Sequence, residues 1–237
     1  MKRILFINPS LRLKSPTKFL PVGIASVMTY LDSHNIEFDF LDVDINELED
    51  NQIEDYLDRN RYDIILSGSI VTHYKWMKWL TNTVKKYNKN SIVIIGNSVA
   101  GSIPKLFLEN SSADIAILGE GEITCLELVR KIINDESWEN LDGLAYKKMN
   151  GEVVVNKNRR GHKKLDDFPM INWQAFETEK YFQKSYAAAK AVDDQTVRVM
   201  PVVTARGCAF RCTFCHFVFW NDPYRYRSPE NILAEIK

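Results

Sequence analysis

Through residue 135 the chain alternates short apolar runs with longer stretches in which apolar side chains return every three or four positions. The runs at 4–7, 38–41, 64–66, 92–95 and 115–118 are rich in isoleucine, leucine and valine. Successive side chains of a strand point to opposite faces, so a run stays apolar throughout only where both faces are covered, as in a parallel sheet. Between these runs, Ile24, Val27, Met28 and Leu31 fall on one helical face, as do Trp76, Leu80, Val84 and Tyr87, and again Ile123, Leu126, Val129 and Ile133. Strands alternating with amphipathic helices predict an α/β fold with a doubly wound parallel sheet over residues 1–140.

In such a sheet ligands settle outside the carboxyl ends of the strands. The loops there are Asn8-Pro9-Ser10, Ser67-Gly68-Ser69 running on to Thr72, Gly96-Asn97-Ser98, and Gly119-Glu120-Gly121-Glu122. Small residues let a ligand approach the backbone closely. Any one of these loops is equally well a plain turn, but four on one edge point to a binding crevice. Gly119-Glu120-Gly121 lacks the third glycine of a dinucleotide fingerprint, and its glutamates would repel a pyrophosphate. They read instead as anions favouring a helix N-terminus through its dipole, beside a neutral or cationic ligand.

The pattern changes after residue 140. Residues 141–155 read as a hairpin about Asn150-Gly151, and residues 156–164 carry six basic or histidine side chains, the composition of a solvated linker. Leu165-Asp166-Asp167-Phe168-Pro169 and the aromatics Trp173, Phe176, Tyr181 and Phe182 follow and are expected to lie across a domain junction. These features make 141–195 a hairpin and linker, with a second unit over 196–237 that opens on a strand at 197–204. Ser228-Pro229-Glu230 has the cap, proline and acidic residue of a helix start.

Composition narrows the partners. Among 237 residues, lysine plus arginine and aspartate plus glutamate balance at 31 each, so no overall field attracts nucleic acid or an anionic membrane. Two basic residues and four apolar ones before Asn8-Pro9 are too few for a signal peptide or a membrane span, which places the protein in the cytoplasm with its thiols reduced.

Those thiols carry the strongest chemical signal. Cys208, Cys212 and Cys215 are spaced Cys-x3-Cys-x2-Cys, with Phe214 before the last. Three thiolates on one loop can hold three irons of a [4Fe–4S] cluster and leave the fourth without a protein ligand. Zinc is the alternative, with His216 as fourth donor, although adjacent Cys215 and His216 diverge from one metal. A disulfide would leave one of the trio unpaired. Cys125, next to a helical apolar stripe, reads as a buried structural thiol.

The order of a strand, Arg206-Gly207, the cysteine trio with Phe214, and Arg227-Ser228-Pro229-Glu230 resembles the opening of a radical S-adenosylmethionine (SAM) barrel. With Leu20-Pro21-Val22-Gly23 opening the first helix, Gly96 after the fourth strand, Gly119-Glu120-Gly121-Glu122 after the fifth and Leu165-Asp166-Asp167-Phe168-Pro169 in the linker, the chain resembles the cobalamin-binding class of that superfamily. The resemblance implies a Rossmann-like sheet of the cobalamin-binding type followed by the start of a radical SAM βα barrel. It makes Cys208, Cys212 and Cys215 the cluster ligands, sets Phe214 beside the SAM adenine, and gives Pro9, Ser69, Thr72, Gly96, Gly119 and Glu120 to cobalamin. The chemistry implied is reductive cleavage of SAM to a 5′-deoxyadenosyl radical, with methyl transfer to an unactivated centre. Cyclisation or rearrangement, or a non-catalytic corrinoid module, are the alternatives. A methylthiotransferase would need a second cysteine trio in the first domain. The implied partners are a small-molecule or peptide substrate and an electron donor such as flavodoxin or ferredoxin.

Two departures from the family pattern qualify these expectations. The Asp-x-His-x-x-Gly string that carries an axial histidine in one corrinoid class is missing after the first strand, and Asp32-Ser33-His34-Asn35-Ile36-Glu37 lacks its glycine. No histidine of this chain is therefore expected on cobalt, and His73 reads as a partly exposed helix-start residue. Only about 30 residues follow the run at 197–204, whereas a βα barrel needs several more units of roughly 30 residues each, so the chain reads as the front of a longer protein.

Overall fold

A computed structural model of the protein describes residues 2–185, 198–210, 212–213 and 223–237. Five strands, β1 (Ile4–Asn8), β2 (Asp39–Asp42), β3 (Ile64–Gly68), β4 (Ile92–Gly96) and β5 (Ile115–Ile117), pair in parallel in the order β2-β1-β3-β4-β5. Every residue of β1 is buried. The unbroken apolar run has the predicted cause: α1 (Val22–Asp32) and α6 (Gly121–Ile133) cover one face, while α2 (Asp50–Arg59), α3 (Tyr74–Tyr87), α4 (Asn97–Gly101) and α5 (Pro104–Glu109) cover the other. Alternate strand residues divide between the two cores. Leu5, Ile7, Ile65 and Val93 join the α2–α5 side, and Ile4, Phe6, Ile64 and Ile94 join the α1–α6 side.

The hairpin strands β6 (Leu144–Lys147) and β7 (Val153–Val155) continue this sheet, β6 pairing antiparallel with β5. The basic run after them is no free linker. Asn156 N–H donates to Leu144 O at 2.8 Å, Gly143 N–H donates to Lys157 O at 2.7 Å, and Arg159 pairs with Glu127 of α6. Arginine's long stem packs while its head finds a carboxylate, so a basic run lies against a protein surface as readily as in water. The aromatic segment both meets the second unit, where Arg198 lies 5.7 Å over the Phe182 ring, and enters the core. Phe176 and Tyr181, the latter in α7 (Thr178–Gln183), sit in the α1–α6 core, with Phe176 edge-on to Phe40 at 4.9 Å. The Tyr181 hydroxyl donates to the buried Asp42 carboxylate at 2.7 Å, giving it a hydrogen bond at the end of β2.

The strand expected at 197–204 does not form over 198–204. Extended backbone becomes a strand only beside a partner, and pairing begins at β8 (Ala205–Arg206), antiparallel to β9 (Arg225–Tyr226). The last helix, α8 (Pro229–Ile236), starts as its sequence requires: Ser228 Oγ accepts from Asn231 N–H at 3.2 Å and proline occupies the first turn. Ser228 N–H in turn donates to the Asp166 carboxylate at 3.0 Å, which ties the Leu165–Pro169 string to this helix.

At the carboxyl end of the sheet β3 and β4 meet at Gly68 and Gly96. A Cβ on Gly68 would stand 3.0 Å from the Gly96 carbonyl carbon and oxygen, whereas one on Gly96 meets nothing within 4 Å. Gly68→Ala is therefore expected to cost about 1–3 kcal/mol by overpacking, a fall of roughly 2–4 °C in Tm per kcal/mol. Gly96→Ala leaves thermal denaturation near that of the unaltered chain.

Candidate functional site

A cavity of about 360 Å³ opens at the carboxyl ends of β1, β3, β4 and β5, between the first turns of α1 and α6. Phe6, Leu66, Ile94 and Ile117 form its floor and Val22 and Val27 one wall, so its surface is mostly apolar. Glycines complete it. A Cβ built on Gly23, Gly96 or Gly119 meets nothing within 4 Å, and all three residues line the cavity. Gly119 has φ +77° and so has a backbone reason to be glycine. Gly23 and Gly96 have neither positive φ nor a close neighbour, and glycine in a helix interior costs roughly 0.5–1 kcal/mol relative to alanine. The space these two residues leave empty is what a bound group would fill.

Of the residues expected to contact a ligand, Gly96, Gly119 and Glu120 line the cavity. Pro9, Ser69 and Thr72 lie on loops of the same edge without lining it. Ser69 is buried, and its Oγ is 3.1 Å from His73 Nδ1. The His73 ring stacks on Trp76 with centroids 4.9 Å apart, and burial pulls its pKa down, so it is neutral at physiological pH. His34 ends α1 with Nδ1 2.7 Å from Tyr30 O.

The glutamates after β5 do more than favour the dipole of α6. Glu120 is the N-cap but caps nothing with its side chain. Its carboxylate is held bidentately by Arg225, at 2.7 and 3.1 Å. Glu122 accepts from Arg206 Nη2 at 2.6 Å and from Ser26 Oγ at 2.6 Å, with only 5% of its side chain exposed. Arg206 also stands 3.7 Å from Glu120 and 5.1 Å over the Phe168 ring. Burial pushes the Glu122 carboxyl up, but Arg206 and Ser26 more than offset this and leave it below the ordinary range. The positive charge that these glutamates face comes from within the chain, from arginines that sequence reading did not assign to the site. Arg206 stood in the quoted Arg206-Gly207 string, while Arg225, 105 residues from Glu120, gave no local signal.

Directly after Arg206 the chain turns at Gly207, φ +81°, into the cysteine loop. Cys208 and Cys212 are exposed, and Cys208 Sγ accepts from Phe210 N–H at 3.4 Å. Cys215, Phe214 and His216 lie outside the described residues. Among the described residues no three histidine, cysteine or acidic side chains gather round a metal position. The donors themselves, exposed thiols on one loop, are of the soft type that iron–sulfur clusters and zinc take. Cys125 is fully buried against the cavity, and burial pushes its thiol pKa up, so it stays protonated.

Residues 10–129, half of the chain, match the family model of the B12 binding domain. The chain belongs to the B12-binding family. The matched stretch contains both glycine-lined walls of the cavity and the Glu120–Glu122 turn. Over 99% of its length the chain is 24% identical to cytidylyl-2-hydroxyethylphosphonate methyltransferase of Streptomyces wedmorensis, covering 52% of that protein. It is 25% identical, again over 99%, to the anaerobic magnesium-protoporphyrin IX monomethyl ester cyclase of Rubrivivax gelatinosus, covering 42% of it. The chain thus spans about half the length of the curated relatives it matches. Its fold is shared with the cobalamin-dependent S-adenosylmethionine radical enzyme OxsB, solved with aqua-cobalamin bound, at TM-score 0.80 and 20% identity, over 100% of this chain and 31% of that one. Among the described residues no helix is long and apolar enough to cross a membrane.

Removing one partner of a buried ion pair leaves the other charge uncompensated, so Glu122→Gln is expected to cost about 3 kcal/mol at pH 7 in denaturant unfolding. Because the folded-state pKa of Glu122 is depressed, its contribution is full above the unfolded glutamate value of about 4.3 and drains away as pH falls below it. The gap between the unaltered chain and Glu122→Gln should therefore close in acid.

Proposed function

We propose that the protein is the cofactor-binding front of a cobalamin-dependent radical SAM enzyme. The observation that carries this reading is the shared wall: the turn that closes a glycine-lined, apolar cavity also holds the two strands from which the cysteine loop departs. Cys208, Cys212 and Cys215 would hold a [4Fe–4S] cluster, with Phe214 against SAM. Gly23, Gly96 and Gly119, with the apolar floor, would hold part of cobalamin, and Pro9, Ser69, Thr72 and Glu120 would border it. When bound, these groups supply an electron that cleaves a carbon–sulfur bond of SAM and a cobalt carrier for a methyl group. The chain's own task is to bind, orient and exclude water. His73, held between Ser69 and Trp76, and His34, just past the end of α1, do not line the cavity.

The reaction favoured is methyl transfer to an unactivated carbon or phosphorus centre of a small molecule or peptide. The electron donor would be a flavodoxin or ferredoxin in the cytoplasm. Cyclisation is the second reading, favoured by a cyclase standing beside a methyltransferase at almost the same identity.

Anaerobic reconstitution with iron and sulfide should give a brown chain that dithionite bleaches and that Cys212→Ala does not form. Colourless protein retaining zinc would overturn the cluster assignment. The cavity is tested separately with methylcobalamin in the dark. Gly96→Val is expected to weaken its binding by about five- to 150-fold, the equivalent of roughly 1–3 kcal/mol of overpacking. Equal affinity in the variant and the unaltered chain would remove cobalamin from this cavity.

A further inference from the structure

Arg206 and Arg225 are directly opposite one another on the β8–β9 ladder, which is two residues long on each side. Two like charges facing each other across antiparallel strands oppose pairing, and an isolated two-stranded ladder is marginal even without them. The ladder forms because both guanidiniums reach carboxylates of a single turn, Arg225 on Glu120 and Arg206 on Glu122. The two charges of each sign balance at a site where Arg225, Glu122 and Glu120 are all largely shielded from water. Arg225 Nη1 donates as well to His162 O at 2.6 Å, and Arg206 to Ser26 Oγ of α1 at 3.1 Å. The base of the cysteine loop therefore has its position fixed by the Gly119–Glu122 turn, and that turn, with Ser26 and Arg206, lines the cavity.

We propose that this quartet couples the cavity to the cysteine loop: Arg206 and Arg225 are positioning residues through which filling the cavity and fixing the metal-binding loop favour each other. The cavity's occupant, a corrinoid, rests on the function proposed above. The coupling rests on the ion-pair geometry. A ligand seated against Gly119 and the backbone of residues 120–122 restricts the turn, the turn holds its carboxylates in register, and the carboxylates hold Arg206 two residues before Cys208. Linkage makes the effect reciprocal in binding free energy, so a metal centre on the loop tightens corrinoid binding by the same factor by which the corrinoid tightens the metal centre.

The test follows alkylation of Cys208 and Cys212 by N-ethylmaleimide in the metal-free chain, resolved by peptide mass spectrometry, with and without saturating methylcobalamin in the dark. In the unaltered chain methylcobalamin should slow both thiols by about fivefold or more. The double variant Arg206→Met/Glu122→Gln removes both charges of one pair together, leaving neither buried alone, and at a methylcobalamin concentration that saturates that variant, set by its own titration, should lose the slowing. Arg206→Lys should recover part of it. Glu120→Gln, which leaves the Arg206–Glu122 pair intact, should reduce the slowing without abolishing it. Binding of methylcobalamin with unchanged thiol rates, or with equal slowing in the double variant, overturns the coupling while leaving the cavity assignment standing. No binding of methylcobalamin to the unaltered chain overturns the cavity assignment, and the proposal falls with it.

Discussion

Two guanidiniums and two carboxylates, closed off from most solvent, decide where the cysteine loop can be. Each charge alone would be costly to bury, and burying them in opposite pairs with further hydrogen bonds is what makes the site tolerable. Glu122 shows the balance: its surroundings disfavour charge, yet Arg206 and Ser26 keep it ionised. The geometry is directional as well as neutralising, since Arg225 grips Glu120 through two nitrogens and so fixes angle as well as distance. An interface of apolar side chains would bury area without setting the orientation of a two-residue ladder. Arg206 also lies over Phe168, and Asp166 receives the amide of Ser228, so the Leu165–Pro169 string is a strap across the same junction.

The sheet supplies the other half of the site. Strands covered on both faces leave only their ends open, and because β1 to β5 run parallel every loop that follows one of them emerges at the same end. Gly68 and Gly96 are adjacent there for opposite reasons, one because β4 comes too close for a side chain and the other because nothing comes close at all. That contrast separates a packing glycine from a vacant one, which a list of loop glycines cannot do.

The five parallel strands and the helices α1, α3 and α6 were legible because burial on two faces and on one helical stripe leaves a periodic mark in the chain, whereas α2, α4 and α5 were not read from it. The cavity glycines were legible in part, since strand-end loops of small residues mark the edge. Their division into Gly96 and Gly119 on the lining and Ser69 and Thr72 off it is a matter of three-dimensional placement. The glutamates were read through their neighbours in sequence, which suggest only the helix dipole; their partners lie 84 and 105 residues away. The basic run is exposed at Lys157, Arg160, Lys163 and Lys164, as its composition suggests, but the partner of Arg159, Glu127, belongs to α6 and left no local mark. Residues 198–204 were misread for a related reason: their composition suits a strand, but a strand is a property of two segments, and in this antiparallel register the residues facing them lie beyond Tyr226, where the chain enters α8.

What the cavity lacks in free chemistry bears on the division of labour. Among the described residues its titratable lining groups are Glu120, Glu122, Arg206 and Cys125. The first three are bound to one another or to Arg225, and the Cys125 thiol is held protonated by burial. Proton transfer at any of the first three would break the ion pairs that hold the turn. A lining so tied together is suited to holding a bound group still, which is what orientation requires. Methyl transfer and cyclisation place the same demand on it, so the choice between them falls to residues that meet the substrate and not to the wall that the two cofactors would share.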